Sequence, residues 1–257
     1  MLVALFLGLG LIFGSFLTVV IGRLPRGESI VRPRSRCPAC GAEIRARDNV
    51  PVVSWVLLRG RCRACGERIS AEYPLVELAT AALFAAAAGL VDPIYAASLA
   101  APFLGIMLAI AVIDARHRVV PNRIVYPSLA LFAVAIVVGD LAGGGLDALD
   151  AGLGLGLYGV PLLLVAVAVP QGMGMGDVKL AALIGLVLGS FGLSYVGVAA
   201  GMGVIGGGIG ALVALALLGA GRKDQIPFGP FLAGGAVVAT LLGPWIADLY
   251  LSLLGVR

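Results

Sequence analysis

A chain of 257 residues that is 60% apolar and only 12% charged, with a mean hydropathy of +1.07, excludes an ordinary soluble domain, in which about a quarter of the residues are charged. Its net charge of +4 is unevenly placed, because 11 of the 18 Lys and Arg residues fall between Arg23 and Glu72. The composition is that of an all-α polytopic membrane protein, for which counting soluble domains by length does not apply.

Residues 2–22 form an apolar run long enough to cross a bilayer, which takes about 20 residues. No basic segment precedes it and no small-residue cleavage site follows, so it reads as a retained span rather than a cleaved signal. Arginines come directly after it, which puts the N-terminus outside and residue 23 inside. Residues 23–72 are polar and punctuated by Pro25, Gly27, Pro33, Pro38, Gly41, Pro51, Gly60 and Gly66, the pattern of a small loop-rich subdomain. Their eleven arginines face only five acids. Beside spanning segments this is a cytoplasmic loop obeying the positive-inside rule rather than a nucleic-acid site, and membrane lipid is the expected neighbour.

Further spans are expected at about 73–91, 94–113, 124–139, 146–169, 178–193, 195–219 and 228–253, which makes about eight transmembrane helices. The connectors agree with that count. Arg116, Arg118 and Arg123 fall in one inside loop, and Arg222 and Lys223 in another; the opposite connectors carry Asp92, Asp140 and Asp147 and no Lys or Arg. Gly/Ala-rich stretches such as 201–210 suit close helix packing in lipid. The expected organisation is a first helix (1–22), a cytoplasmic four-cysteine loop (23–72) and a transmembrane domain of about seven helices (73–257). Nothing in the chain specifies an oligomeric state.

Cys37-Pro38-Ala39-Cys40 and Cys62-Arg63-Ala64-Cys65 are paired Cys-x-x-Cys knuckles, each followed by glycine (Gly41, Gly66). The doubled motif predicts a Zn²⁺ site more strongly than a redox pair or free thiols. In a cytosolic loop the thiols stay reduced, and four thiolates make a closed, structural site.

Two acids stand at membrane boundaries. Asp114 ends the third candidate span, and Asp177 begins the sixth within Gly172-Met173-Gly174-Met175-Gly176-Asp177. The chain crosses twice between them, so both face the cytoplasm. Close carboxyls share a proton, which lets one act as general base toward water and the other as general acid toward a carbonyl. Other protease designs are missing: His117 is the only histidine, no zinc-protease or Gly-x-Ser-x-Gly motif occurs, and the cysteines are committed to knuckles. Either acid also reads as a solvated end residue paired with Arg116 or Lys179. Gly172, Gly174 and Gly176 are read as an active-site loop that lets a substrate backbone approach, or as a plain turn. A transporter with proton- or cation-binding acids, and a zinc-ribbon membrane adaptor, are the alternatives from other classes.

The chain resembles the type IV prepilin peptidases through Gly14–Pro25, the four cysteines, Asp48-Asn49-Val50-Pro51, Leu58–Cys62, Ile69–Glu77, the Asp114 segment, Gly172–Leu180 and Ile226–Leu232. The resemblance implies a bacterial cytoplasmic-membrane enzyme that cuts prepilin and pseudopilin leaders on the cytoplasmic side after a glycine. It further implies N-methylation of the new terminus from S-adenosylmethionine, catalytic roles for Asp114 and Asp177, and zinc on the four cysteines. Thr18 stands where the family usually has Asn. Within the resemblance Glu77 is read as orienting substrate or cofactor, or as an interfacial acid paired to a loop arginine. Pro227-Phe228-Gly229-Pro230 is read as lining the cleft or as a plain helix start. No residue is assigned to the methyl donor.

Overall fold

The computed structural model describes residues 1–32, 34–169, 173–217, 227–253 and 255, with the backbone alone at 211 and 213–217. The described residues hold α1 (Leu2–Arg23), the short α2 (Val53–Leu57), α3 (Glu72–Leu90), α4 (Ile94–His117), α5 (Asn122–Leu141), α6 (Ala148–Ala168), α7 (Met175–Gly189), α8 (Leu193–Leu217) and α9 (Gly229–Leu253). No strand occurs among them, only two isolated bridges. Seven of these helices are long and apolar enough to span a bilayer. The remaining expected span, the sixth, is α7, which has 15 residues, about 22 Å of helix against a hydrocarbon core of about 30 Å.

α4 is the central post. Two thirds (67%) of its apolar window is buried, against 17–39% in the other spans. Phe103, Leu104, Met107, Ile110 and Ile113 on it are fully buried. Without a hydrophobic force between helices in lipid, association relies on close packing, and small residues permit it. Gly10 and Gly14 of α1 press against α3, where an added Cβ would stand 2.6 Å from the Ala81 Cα and 2.8 Å from the Glu77 Cα. Gly203 of α8 and Gly235 of α9 meet in the same way.

α6 and α7 form an antiparallel hairpin on glycine. Gly154 faces Gly185, Gly159 faces Ala182, and Gly189 faces Asp150 and Ala151. The far end of the hairpin is closed by Asp147, whose side chain caps α6 by accepting the Asp150 N–H (2.8 Å) and whose own N–H bonds the Ser190 carbonyl (3.0 Å). Carried along the hairpin, this register sets Asp177 level with about Leu163. That is about 7 Å short of the end of α6 at 1.5 Å per residue.

The up-and-down order gathers eight helix ends at one face: the C-terminal ends of α1, α4, α6 and α8 and the N-terminal ends of α3, α5, α7 and α9. This face carries the segment 24–71. Only Cys37, Ser54 and Gly60 are buried among its described residues, too few for a hydrophobic core. Arg116 of α4 pairs with Glu72 of α3 beneath it.

Candidate active site and four-sulfur cluster

Asp114 lies one turn before the end of α4, 4% exposed, and its carbonyl accepts the N–H of Arg118, the left-handed residue that stops the helix (2.8 Å). Its Oδ2 accepts the backbone N–H of Gly229 at the start of α9 (3.1 Å). Asp177 sits half-buried in the first turn of α7, where a negative charge suits the helix N-terminus. The field of Asp114 reaches it. Two acids 63 positions apart in sequence are thus brought to one end of the bundle.

Neither acid has an ion-pair partner among the described residues. Arg116 turns to Glu72. Lys179 points toward α5, where its Nζ donates to Asn122 Oδ1 (3.1 Å) and lies 5.2 Å from the centre of the Tyr126 ring. These partners remove the reading in which Arg116 or Lys179 neutralises an adjacent aspartate. His117 is exposed at the last turn of α4.

The glycines differ in what they do. A Cβ on Gly176 would stand 3.0 Å from Val120 Cβ, so this glycine lets α7 close on the α4–α5 connector. A Cβ on Gly174 would meet Asp177 Oδ2 at an ordinary 3.7 Å, and Gly174 is exposed in a common extended conformation. Gly172 lies outside the described residues.

Two further contacts escape sequence reasoning. Glu77, 7% exposed on α3, accepts the Val52 N–H at 2.7 Å rather than pairing with a loop arginine. Val52 has φ +60°, a conformation that a β-branched residue rarely adopts. Gly229 is the other. The only sequence signal for either was the company they keep, Val52 next to Pro51 and Gly229 between Phe228 and Pro230. Thr18 donates to Ser15 O within its own helix (2.7 Å).

The four cysteines converge as their spacing predicts. Their sulfurs all lie within 4.8 Å of one another, with Cys37 and Cys65 at 3.8 Å, and none is in a disulfide. The two knuckles are built alike. Gly41 N–H bonds Cys37 O and Gly66 N–H bonds Cys62 O (2.9 Å each), with both glycines at positive φ. Cys37 N–H bonds Ala42 O (2.9 Å) and Cys62 N–H bonds Glu67 O (2.8 Å). The backbone N–H groups of Cys40 and Ala39 draw the Cys37 thiol down to about 7. Arg63, inside the second knuckle, grips Asp48 with Nε and Nη2 (2.7–3.1 Å) and holds its carboxyl below the usual range. That contact is lost in acid as Asp48 protonates, and its exposed arginine makes it a modest one. Zn–S bonds of 2.3 Å in a tetrahedron require sulfurs about 3.8 Å apart, so the donor set fits a tetrathiolate metal.

A helical, multi-pass membrane protein with paired acids and a four-sulfur cluster at one end is the class these features define. Residues 9–90 match the Bacterial Peptidase A24 N-terminal domain, and residues 101–221 match the Type IV leader peptidase family. The chain is 36% identical to the prepilin leader peptidase/N-methyltransferase of Bacillus subtilis (strain 168), over 95% of this chain and 96% of that one. It is 34% identical to proteins of the same name from Pseudomonas aeruginosa, over 97% and 93% of the two chains, and from Dichelobacter nodosus, over 95% and 93%. The chain belongs to the type IV leader peptidase family. No solved structure matches it.

Proposed function

We propose that this chain is a prepilin leader peptidase and N-methyltransferase. It cleaves type IV prepilin and pseudopilin leaders after glycine at the cytoplasmic face of the inner membrane, with Asp114 and Asp177 as the acid/base pair. Membership of the family supports the activity. The observation that supports the residue assignment is the convergence of two acids, at the end of α4 and the start of α7, on one end of the bundle, with no ion-pair partner for either among the described residues.

One carboxylate takes a proton from water as the water oxygen bonds to the scissile carbonyl carbon. The other carboxyl gives a proton to the carbonyl oxygen. Collapse of the tetrahedral species breaks the C–N bond: one of its hydroxyls returns a proton to the second carboxylate, and the departing amine takes a proton from the first acid. That freed amine is the nucleophile for methyl transfer from S-adenosylmethionine, a co-substrate to which no residue is assigned. Gly174, and Gly172 beside it in sequence, belong to the loop across which the substrate backbone approaches.

Cys37, Cys40, Cys62 and Cys65 would hold zinc. With four protein ligands it would supply structure to a segment that buries only three of its described residues. On this reading 1–22 is the first helix, 23–72 the zinc-binding loop and 73–257 the transmembrane peptidase domain.

The test is cleavage of a prepilin peptide by purified enzyme, read by mass spectrometry with and without S-adenosylmethionine. Asp114→Asn and Asp177→Asn should each lower the cleavage rate by at least about 10²–10⁴-fold, the contribution typical of a positioned acid or base. Wild-type cleavage by either variant would refute the assignment.

A further inference from the structure

We propose that Gly229 is a positioning residue for the peptidase reaction, its backbone N–H fixing Asp114 and its missing side chain making the room that the Asp114 carboxyl fills. The inference rests on the reading of Asp114 as a member of the acid/base pair.

Asp114 stands in the last turns of α4, where the unpaired carbonyls of a helix end disfavour a nearby negative charge. Its donor must therefore come from another element, and the start of α9 supplies one. The first N–H groups of a helix have no partner inside it. In the first turn of α9 the choice is narrow. Pro230 has no N–H, while the N–H groups of Phe231 and Leu232 both bond Phe228 O (3.1 and 3.2 Å). Gly229 N–H is the one left for a carboxylate, and it goes to Asp114 Oδ2 across 115 residues of sequence. The other oxygen, Oδ1, accepts no hydrogen bond from the described residues and is the one left for chemistry.

The glycine is required by proximity. A Cβ there would stand 2.6 Å from Asp114 Oδ2, 2.9 Å from Cγ and 3.2 Å from Cβ, so the whole side chain would have to shift. Asp114 is itself only 4% exposed, so it cannot shift freely into solvent. The backbone of Gly229 lies outside the positive-φ region, so alanine fits its conformation and is the better helix former. Local propensity and the contact with Asp114 therefore push in opposite directions, and that separates a positioning role from a merely structural one.

The experiment compares wild type, Gly229→Ala, Asp114→Asn, Asp114→Ala and Asp114→Ala/Gly229→Ala as full-length protein in nanodiscs. Gly229→Ala should lower kcat for leader cleavage by about 10²-fold, the effect of displacing a reacting group by about 1 Å. KM and methylation of a peptide supplied already cut should stay near wild type. Any fall in melting temperature caused by Gly229→Ala should shrink in the Asp114→Ala background, which removes the 2.6 and 2.9 Å contacts to Oδ2 and Cγ and leaves only the 3.2 Å one to Cβ. Unchanged cleavage by Gly229→Ala, with Asp114→Asn inactive, would overturn this inference alone. So would an equal fall in melting temperature in both backgrounds, or a parallel loss of cleavage and methylation. Cleavage by Asp114→Asn would instead remove the reading on which the inference rests.

Discussion

Glu77 binds the segment 24–71 to the bundle through the Val52 backbone N–H. Its carboxylate, 7% exposed on α3, accepts from Val52, and Val52 holds a φ of +60°. A valine in that region is strained by about 1–3 kcal/mol and persists where the surroundings dictate it. Replacing Glu77 with Ala should cost about 1.5–3 kcal/mol, the range for a hydrogen bond to a charged group, and should open residues 24–71 to trypsin at their arginines. Glu77→Gln keeps an acceptor and should lose less. Val52→Gly in the Glu77→Ala background should recover part of the loss, because glycine takes positive φ freely. Equal trypsin resistance in wild type and Glu77→Ala would refute this. At this scale the sequence was informative about side chains whose direction follows from a single helix. Two positions along a helix turn a side chain by about 200°, and Lys179 points away from Asp177 onto Asn122. Contacts made across long separations were illegible: Glu77 with Val52, Arg116 with Glu72 and Gly229 with Asp114 each depend on which helix ends become neighbours.

The elements themselves were legible because lipid demands long apolar runs between charged connectors, and the helix boundaries fall within a few residues of those runs. α7 is the instructive exception. Its apolar run begins at Val178, yet the helix begins at Met175, since the glycines and Asp177 complete its first turn. Its placement comes from the glycine seam with α6. A Cβ on Gly185 would collide with the Gly154 carbonyl and stand 3.1 Å from the Leu155 Cα, all backbone that cannot swing aside. Gly185→Leu should therefore destabilise by about 1–3 kcal/mol or more, as overpacking does, and lower cleavage by displacing Asp177. Gly152→Leu, on α6 with nothing within 4 Å of its Cβ, should leave melting temperature and activity near wild type. Similar losses for both variants would mean that the seam has no special role.

For the molecule as a whole, two parts are held together by different physics. The bundle is held by packing within lipid, and the segment 24–71 by its knuckles, a few polar contacts and, on the reading above, zinc. The parts should therefore come apart separately. A chelator should make residues 24–71 protease-sensitive while the helical content of the bundle persists. The chelation rate should rise as pH falls from 8 to 6. The ligating form of each cysteine is the thiolate, so protons compete with the metal for the sulfurs as pH falls. Metal analysis of the purified protein and chelation rates at the two pH values check both statements; a metal-free wild type, or a rate independent of pH, would contradict them. The parity of crossings needed no contact information, because the connector charges alone put Asp114 and Asp177 on one side. Their approach to each other did need it, since parity fixes the face and packing fixes the neighbour.

The offset between α6 and α7 has a consequence for access. Asp177 stands about 7 Å below the end of α6, and Leu164, Val165 and Val167 on the overhanging turns expose apolar side chains outward. A parapet of lipid-facing helix thus rises beside the acid. A peptide bond arriving from water must descend past that rim, whereas one carried at the head of a membrane-embedded segment is already at the right depth and slides in sideways. On the reading of Asp177 as one of the acid/base pair, the low start of α7 would act as a depth gauge, favouring substrates whose cleavable bond sits at that level before any side chain is read.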